Sequence, residues 1–139
     1  MKQILKPQPF DADFSIFFLR LILGGLFTWH GLDALMHYKL YLSMSQSTIG
    51  LPASVEFNLV VFAQFICGIL ILLGLLTRLA VIPVFITMAV AFLVAHKGQP
   101  FFQKELPFVY GLLCIAVFIF GGGRYSADNM LQKRKASRL

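Results

Sequence analysis

Four long apolar stretches constrain this chain more than any other feature. Residues 57–76, 79–95 and 106–120 contain no charged side chain, and residues 14–36 contain only Arg20 and Asp33. A membrane-crossing helix needs about 20 consecutive apolar residues, and 58% of the 139 residues are hydrophobic, enough for four such helices. Because a lipid-exposed backbone must satisfy its own hydrogen bonds, the sequence predicts an all-α integral membrane four-helix bundle. The expected spans are about 14–36, 57–76, 79–96 and 106–123, the last completed by glycines 121–123.

The basic residues predict the orientation of these spans. Nine of the twelve lie in the head, in the turn at Arg78 or after Gly123, if Arg20 is counted with the head. The positive-inside rule then places both termini in the cytoplasm and predicts a multi-pass protein of a bacterial inner membrane. The acidic residues of the head and the absence of a small-residue cleavage motif indicate that span one is retained rather than removed as a signal peptide.

This orientation divides the chain into a cytoplasmic head (1–13), a four-span membrane domain (14–131) and a basic cytoplasmic tail (132–139). The first outer connection, residues 37–56, is predicted to be either a short interfacial helix halted by Gly50 and Pro52 or a plain loop. Thr87, Ala91 and Ala95 form a small-residue stripe on span three that permits close helix packing.

The net charge of +6 is not a nucleic-acid signal, because the charges lie between apolar blocks and not along one face. The two cysteines, Cys67 and Cys114, each lie inside an apolar block and are interpreted as small core residues. No phosphate-binding loop, nucleophile elbow or metal-ligand motif occurs, so the sequence encodes no recognisable cofactor or metal site.

Ionisable residues near the outer face are the candidate catalytic groups, since burying them in a membrane costs free energy. The set consists of His30, Asp33, His96 and Glu105. If these side chains converge, they suit proton exchange with a quinone, whose flat ring could stack on Trp29, Phe101 or Phe102. The alternative is structural: His30 and Asp33 pair across a helix interface, and Glu105 caps span four. His37, beyond span one, is predicted to be solvated, and a metal or haem between His30 and His96 is a weaker alternative.

At the cytoplasmic side, Arg20 either extends to the headgroups or faces the bundle interior. The segment after span four contains three glycines, then Arg124, Tyr125 and Asp128. It predicts either a helix terminator or an anion-binding nest of glycine amides. Arg124 and Asp128 are spaced to pair if the segment is helical, and Arg78, Tyr125 and this pair are expected at the lipid interface.

The order of several motifs resembles the DoxX family of small four-span bacterial membrane proteins. They are Leu19-Arg20-Leu21, Trp29-His30-Gly31, Gly50-Leu51-Pro52, Gly74-Leu75-Leu76-Thr77-Arg78-Leu79, His96 with Gly98 and Phe101-Phe102, Glu105, and Gly123-Arg124-Tyr125-Ser126-Ala127-Asp128. The resemblance covers nearly all of residues 14–131. One departure is Gln64, where the family often has a glutamate; an amide can hydrogen-bond there, and bind a ligand, but it cannot titrate.

The resemblance implies a membrane subunit, linked in some relatives to thiosulfate:quinone oxidoreductase and in others to redox-stress complexes. Together with the titratable layer, it favours a quinone-facing subunit of an oxidoreductase complex that receives electrons from a partner protein and is bound in a lipid bilayer. A homodimer is a further expectation. The alternatives are a non-catalytic membrane anchor or assembly scaffold and, third, a small transporter with Arg20 lining its pathway.

Overall fold

The structure, a computed structural model, describes residues 11–137. Most of the predicted cytoplasmic head and the last two residues of the predicted tail lie outside the described residues. Within the described part, the chain is helical and has no strand. Four helical segments are long and apolar enough to cross a membrane, which confirms the predicted fold class.

The helices follow one another with short connections. Helix α1 spans Ala12–Met36 and α2 spans Tyr38–Met44. Helices α3 (Ala53–Val61) and α4 (Cys67–Leu73) are joined by a π-helical segment, Phe62–Ile66, into one crossing. Helix α5 (Thr77–Val90) continues through a second π-helical segment, Ala91–Ala95, and is followed by α6 (Phe101–Phe120) and α7 (Ala127–Ala136).

Two pairs of helices form the core of the bundle: α1 packs mainly on α4 and the first π-helical segment, and α5 packs mainly on α6. The fully buried side chains between them are Leu23, Phe27, Ile71, Val81, Val84 and Val117, and both cysteines are buried with them. The interpretation of Cys67 and Cys114 as small core residues agrees with this placement.

Helix α1 approaches the second crossing closely because glycines face it. A Cβ on Gly24 would lie 2.8 Å from the Leu72 Cα, and one on Gly31 would lie 2.6 Å from the Phe65 Cα. These distances are too short for any side chain. The backbones of the first two spans are therefore in direct contact.

The fourth span differs from its predicted position. Helix α6 begins at Phe101, after Pro100, and ends at Phe120, because Gly121 adopts a positive φ of 72°. The crossing is therefore completed by the residues before position 106, and glycines 121–123 form a turn outside the helix. Glu105 consequently lies within α6 and does not cap it.

The first connection between spans contains a helix, α2, over its first half. It ends at Met44, earlier than Gly50 and Pro52, because Ser45 adopts an extended conformation. The rest of the connection is organised by Glu56, whose carboxylate accepts backbone N–H groups of Thr48 (2.7 Å), Ile49 (3.0 Å) and Leu51 (3.1 Å).

Candidate functional site

Polar side chains concentrate at the two ends of the bundle. One end, where α1 meets α2, is called the Asp33 end. The other end contains the α4–α5 turn and the glycine turn before α7, and is called the Arg20 end. Both lie within reach of water or lipid headgroups if the four helices cross a bilayer.

At the Asp33 end, one carboxylate binds two partners. Asp33 Oδ1 lies 3.1 Å from His37 Nδ1, and Asp33 Oδ2 accepts the Tyr41 hydroxyl at 2.8 Å. The His37 and Tyr41 rings meet edge to face with centroids 5.9 Å apart. These three residues are called the Asp33 cluster, and they connect the last turn of α1 to α2.

The Asp33 cluster brings a carboxylate, an imidazole and a phenol within hydrogen-bond distance. The hydrogen bond to Asp33, and secondly the negative charge of Asp33, raise the pKa of Tyr41, so the phenol keeps its proton. The His37 side chain is 52% exposed. With Nδ1 directed at the carboxylate, its other nitrogen is left to face the surroundings.

The structure does not bring the other predicted catalytic residues to this cluster. His30 and Glu105 are exposed, and the Nδ1 of His96 lies 2.6 Å from the Ala91 carbonyl oxygen of its own helix. Among residues 11–137, no hydrogen bond joins Asp33 to any of these three side chains. Over the same residues, no three His, Cys, Asp or Glu side chains are grouped closely enough to hold a metal ion.

The predicted ring-stacking residues lie on the surface of the bundle. Trp29 is 64% exposed and Phe102 is 84% exposed. Trp29 is four residues before Asp33 in α1 and so lies on the same side of that helix. Phe101 is also exposed and packs edge to face on Phe108, 5.7 Å away.

Gln64 lies within the π-helical segment Phe62–Ile66 and is half-buried. A π-helical segment leaves the regular i→i+4 ladder and is frequent at functional sites. Within the described residues, the Gln64 side chain makes no hydrogen bond.

At the Arg20 end, the guanidinium of Arg20 is buried, so Arg20 faces the bundle interior and not the headgroups. Its Nη2 donates to the Tyr125 carbonyl oxygen at 2.9 Å, while its Nε and Nη1 have no hydrogen-bond partner in the described part of the chain. Gly74 makes room for it, because any Cβ at Gly74 would overlap Arg20 Nη1. No carboxylate of the described residues forms an ion pair with this buried cation, although the charge of Asp128 acts on it from farther away.

The segment after span four is a turn and not a helix, so Arg124 and Asp128 do not pair along one. Instead, the Arg124 N–H donates to Asp13 Oδ1 at 3.0 Å, and the Asp128 N–H donates to the Gly74 carbonyl oxygen at 3.2 Å. Ser126 caps α7 by accepting the Asn129 N–H. Arg78 and Tyr125 are exposed, Arg78 donating to the Ile119 carbonyl oxygen at 3.4 Å.

Two side chains at these ends were missed by the sequence analysis. Tyr41 lies eight residues after Asp33, about 12 Å along a continuous helix, so their hydrogen bond depends on the break between α1 and α2 at His37, which no sequence motif marks. Thr77 is a polar residue at the first position of a span, where a helix N-terminus needs hydrogen-bonding groups.

This arrangement defines a small multi-pass helical membrane protein with a polar group at each end of its bundle. The sequence model of the DoxX family matches residues 15–97. The chain therefore belongs to the DoxX family.

Two relatives are described only as uncharacterized proteins. The chain is 27% identical over 124 residues to a protein of Haemophilus influenzae, covering 84% of this chain and 90% of the relative. It is 30% identical over 141 residues to a membrane protein of Mycobacterium tuberculosis, covering 86% and 83% respectively. No solved structure matches the chain significantly.

Proposed function

We propose that this chain is the membrane subunit of a quinone-linked oxidoreductase complex and that the Asp33 cluster exchanges protons with the quinone. The observation that carries the proposal is the Asp33 carboxylate, which binds an exposed imidazole and a phenol at the end of span one. The membrane location and family membership support it, because a quinone is dissolved in the bilayer.

The proposed reaction needs two electrons and two protons for each quinone reduced to quinol. The electrons come from a redox protein of the same complex, since this chain contains no redox cofactor motif. The His37 imidazolium, stabilised by the Asp33 carboxylate, delivers a proton to a quinone oxygen and is then reprotonated from water; two such deliveries supply both protons. The exposed indole of Trp29, on the same side of α1, provides a surface for the quinone ring. His30, three residues before Asp33, also lies on that side.

Trp29 is the chain's single tryptophan and therefore reports on quinone binding by itself. We expect a short-chain ubiquinone analogue to quench Trp29 fluorescence saturably in protein reconstituted into lipid nanodiscs. Asp33→Asn removes the negative charge beside His37, and His37→Gln removes the imidazole that donates to the quinone, so each should weaken this binding by about tenfold. Asp128→Asn, the same substitution at the opposite end, is the matched control.

A second candidate function, a non-catalytic anchor or assembly scaffold, is favoured by a different feature of the same residues. The hydrogen bond between Asp33 and Tyr41 connects α1 to α2. The Tyr38 hydroxyl donates to Asn58 Oδ1 at 2.7 Å and so connects α2 to α3. In that case Asp33→Asn lowers the thermal stability without changing the quenching. Quenching that is not saturable, or that is equal in Asp33→Asn and Asp128→Asn, would exclude the quinone role.

A further inference from the structure

A cavity of about 580 Å³ opens at the Arg20 end, which is the end of the bundle opposite the Asp33 cluster. The first turn of α5 forms one wall, the glycine turn 121–123 forms another, and the first turns of α7 form the third. This volume admits a phosphate group together with part of the molecule that carries it. The proposed quinone function makes no use of this cavity.

The wall formed by α5 is a helix N-terminus without a cap. Helix α5 begins at Thr77, and no side chain caps it. The first backbone N–H of this helix with an intrahelical acceptor is that of Ala80, which donates to the Leu76 carbonyl oxygen. The N–H groups of the preceding turn and the helix dipole together favour an anion at this position.

A buried hydroxyl at the same place supplies an independent indication of a ligand. Thr77 is 1% exposed and lines the cavity, yet its Oγ1 has no hydrogen-bond partner within residues 11–137. A buried hydroxyl without a partner costs free energy. A ligand oxygen in the cavity would satisfy it.

The side chains that line the cavity carry two positive and two negative charges. Arg78 and Arg124 line it, as do the carboxylates of Asp13 and Asp128. Asp13 already accepts the Arg124 N–H. Arg20 lies behind the wall and does not line the cavity; its Nε and Nη1 are unpartnered in the described chain, and the Asp128 carboxylate acts on it electrostatically from beyond ion-pair distance.

Glycines keep the space in front of these groups open. A Cβ on Gly122 would lie 3.3 Å from Thr77 Oγ1 and 2.9 Å from Ser126 Oγ. A Cβ on Gly121 would lie 3.2 Å from Arg78 Nε. Any larger residue at these two positions would occupy the space through which a ligand reaches Thr77 and Arg78.

We propose that this cavity binds a phosphate group, held by the N-terminus of α5, the Thr77 hydroxyl and the Arg78 guanidinium. The same chemistry is presented by the phosphodiester of an anionic phospholipid and by free inorganic phosphate. Two guanidinium groups, an uncapped helix N-terminus and an unpartnered buried hydroxyl line the cavity, and a phosphate provides acceptors for all of them.

The test uses the full chain, delipidated in a neutral detergent. In one arm it is titrated with inorganic phosphate, with chloride at equal ionic strength as the reference. In the other arm it is incorporated into nanodiscs of phosphatidylcholine with or without phosphatidylglycerol, and retained lipid is counted by native mass spectrometry. We expect phosphate or phosphatidylglycerol to bind and raise the thermal stability; binding in the first arm identifies free phosphate, and binding in the second arm alone identifies a lipid headgroup.

Two variants and one control make the result specific to the cavity. Arg78→Gln and Thr77→Val should each weaken binding by about tenfold, because each removes one donor to the anion. Arg134→Gln removes the same charge from α7 away from the cavity lining and should have less than a twofold effect. If neither probe binds better than chloride or phosphatidylcholine, or if Arg134→Gln weakens binding as much as Arg78→Gln, the proposal is wrong. Thr77→Val also keeps the shape of the side chain, so an unchanged affinity in a folded variant would contradict the role of the hydroxyl.

Discussion

At the scale of single residues, the two ends of this protein differ in whether their polar atoms have hydrogen-bond partners. Asp33 satisfies two donors, while Arg20 and Thr77 retain buried atoms with none among residues 11–137. The Asp33 contacts are local, four and eight residues along the chain, whereas Arg20 meets Tyr125, 105 residues away. The sequence predicted that Arg20 either faced the interior or reached the headgroups, and only the tertiary contact decides between them.

Gly74 should be more sensitive to substitution than any exposed glycine of similar backbone conformation. Gly74 and Gly98 both have positive φ, 75° and 81° respectively. Alanine costs about 1–2 kcal/mol in this conformation, and at Gly98 nothing lies within 4 Å of the added Cβ. At Gly74 the Cβ also overlaps Arg20 and approaches Ser126, so we expect a further loss of about 1–3 kcal/mol, by analogy with overpacking.

The measurement is the free energy of unfolding in mixed micelles, followed by Trp29 fluorescence. Gly98→Ala reports the backbone cost alone, and the difference between the two variants reports the steric cost at Arg20. Equal losses in Gly74→Ala and Gly98→Ala would show that Arg20 does not occupy the position beside Gly74.

At the scale of helices, charge-free blocks predicted the number of spans but not where each helix ends. Hydropathy does not show whether Phe101 belongs to a loop or to a helix. The backbone shows that α6 begins after Pro100 and ends before Gly121. The candidate site shows the same limit. The spacing of Asp33 and His37 was readable from one helix, but its partner Tyr41 depends on the restart of the chain as α2.

The contact of α1 with the second crossing should depend on Gly31 and not on Gly25. A Cβ on Gly31 would meet the backbone of Phe65, which has no flexible end to move aside, whereas a Cβ on Gly25 would meet nothing within 4 Å. We expect Gly31→Ala to lower the free energy of unfolding by about 1–3 kcal/mol. Gly25→Ala should be neutral or stabilising by up to about 1 kcal/mol, since alanine favours helix.

Both variants add one methyl group to the same helix, so the unfolding assay in mixed micelles compares them directly. The close approach of the two spans would be refuted if Gly31→Ala were as stable as Gly25→Ala.

At the scale of the whole molecule, the protein has few buried apolar side chains and many exposed ones, as expected of a protein surrounded by lipid. The core side chains lie along the inner stripes of four helices, and large apolar residues such as Phe18, Leu79 and Ile119 are exposed. Lipid tails cover such a surface without cost, so the bundle needs no thicker core. The polar residues consequently gather at the two ends, and the separate proposals for the Asp33 end and the Arg20 end follow from this division.

The orientation of the two ends in the membrane is a prediction from the sequence, and the native cysteines make it testable. Cys67 is 2% exposed and Cys114 is fully buried, so a membrane-impermeant maleimide should leave the wild-type chain unlabelled. Ser43→Cys in α2 and Ser137→Cys after α7 place single reactive thiols at exposed positions on opposite ends of the bundle. Because the basic residues favour a cytoplasmic Arg20 end, intact spheroplasts should label Ser43→Cys immediately and Ser137→Cys only after permeabilisation. The reverse pattern would show the opposite orientation, with the Asp33 cluster on the cytoplasmic side. Labelling of both thiols in intact spheroplasts would contradict the four-span topology itself.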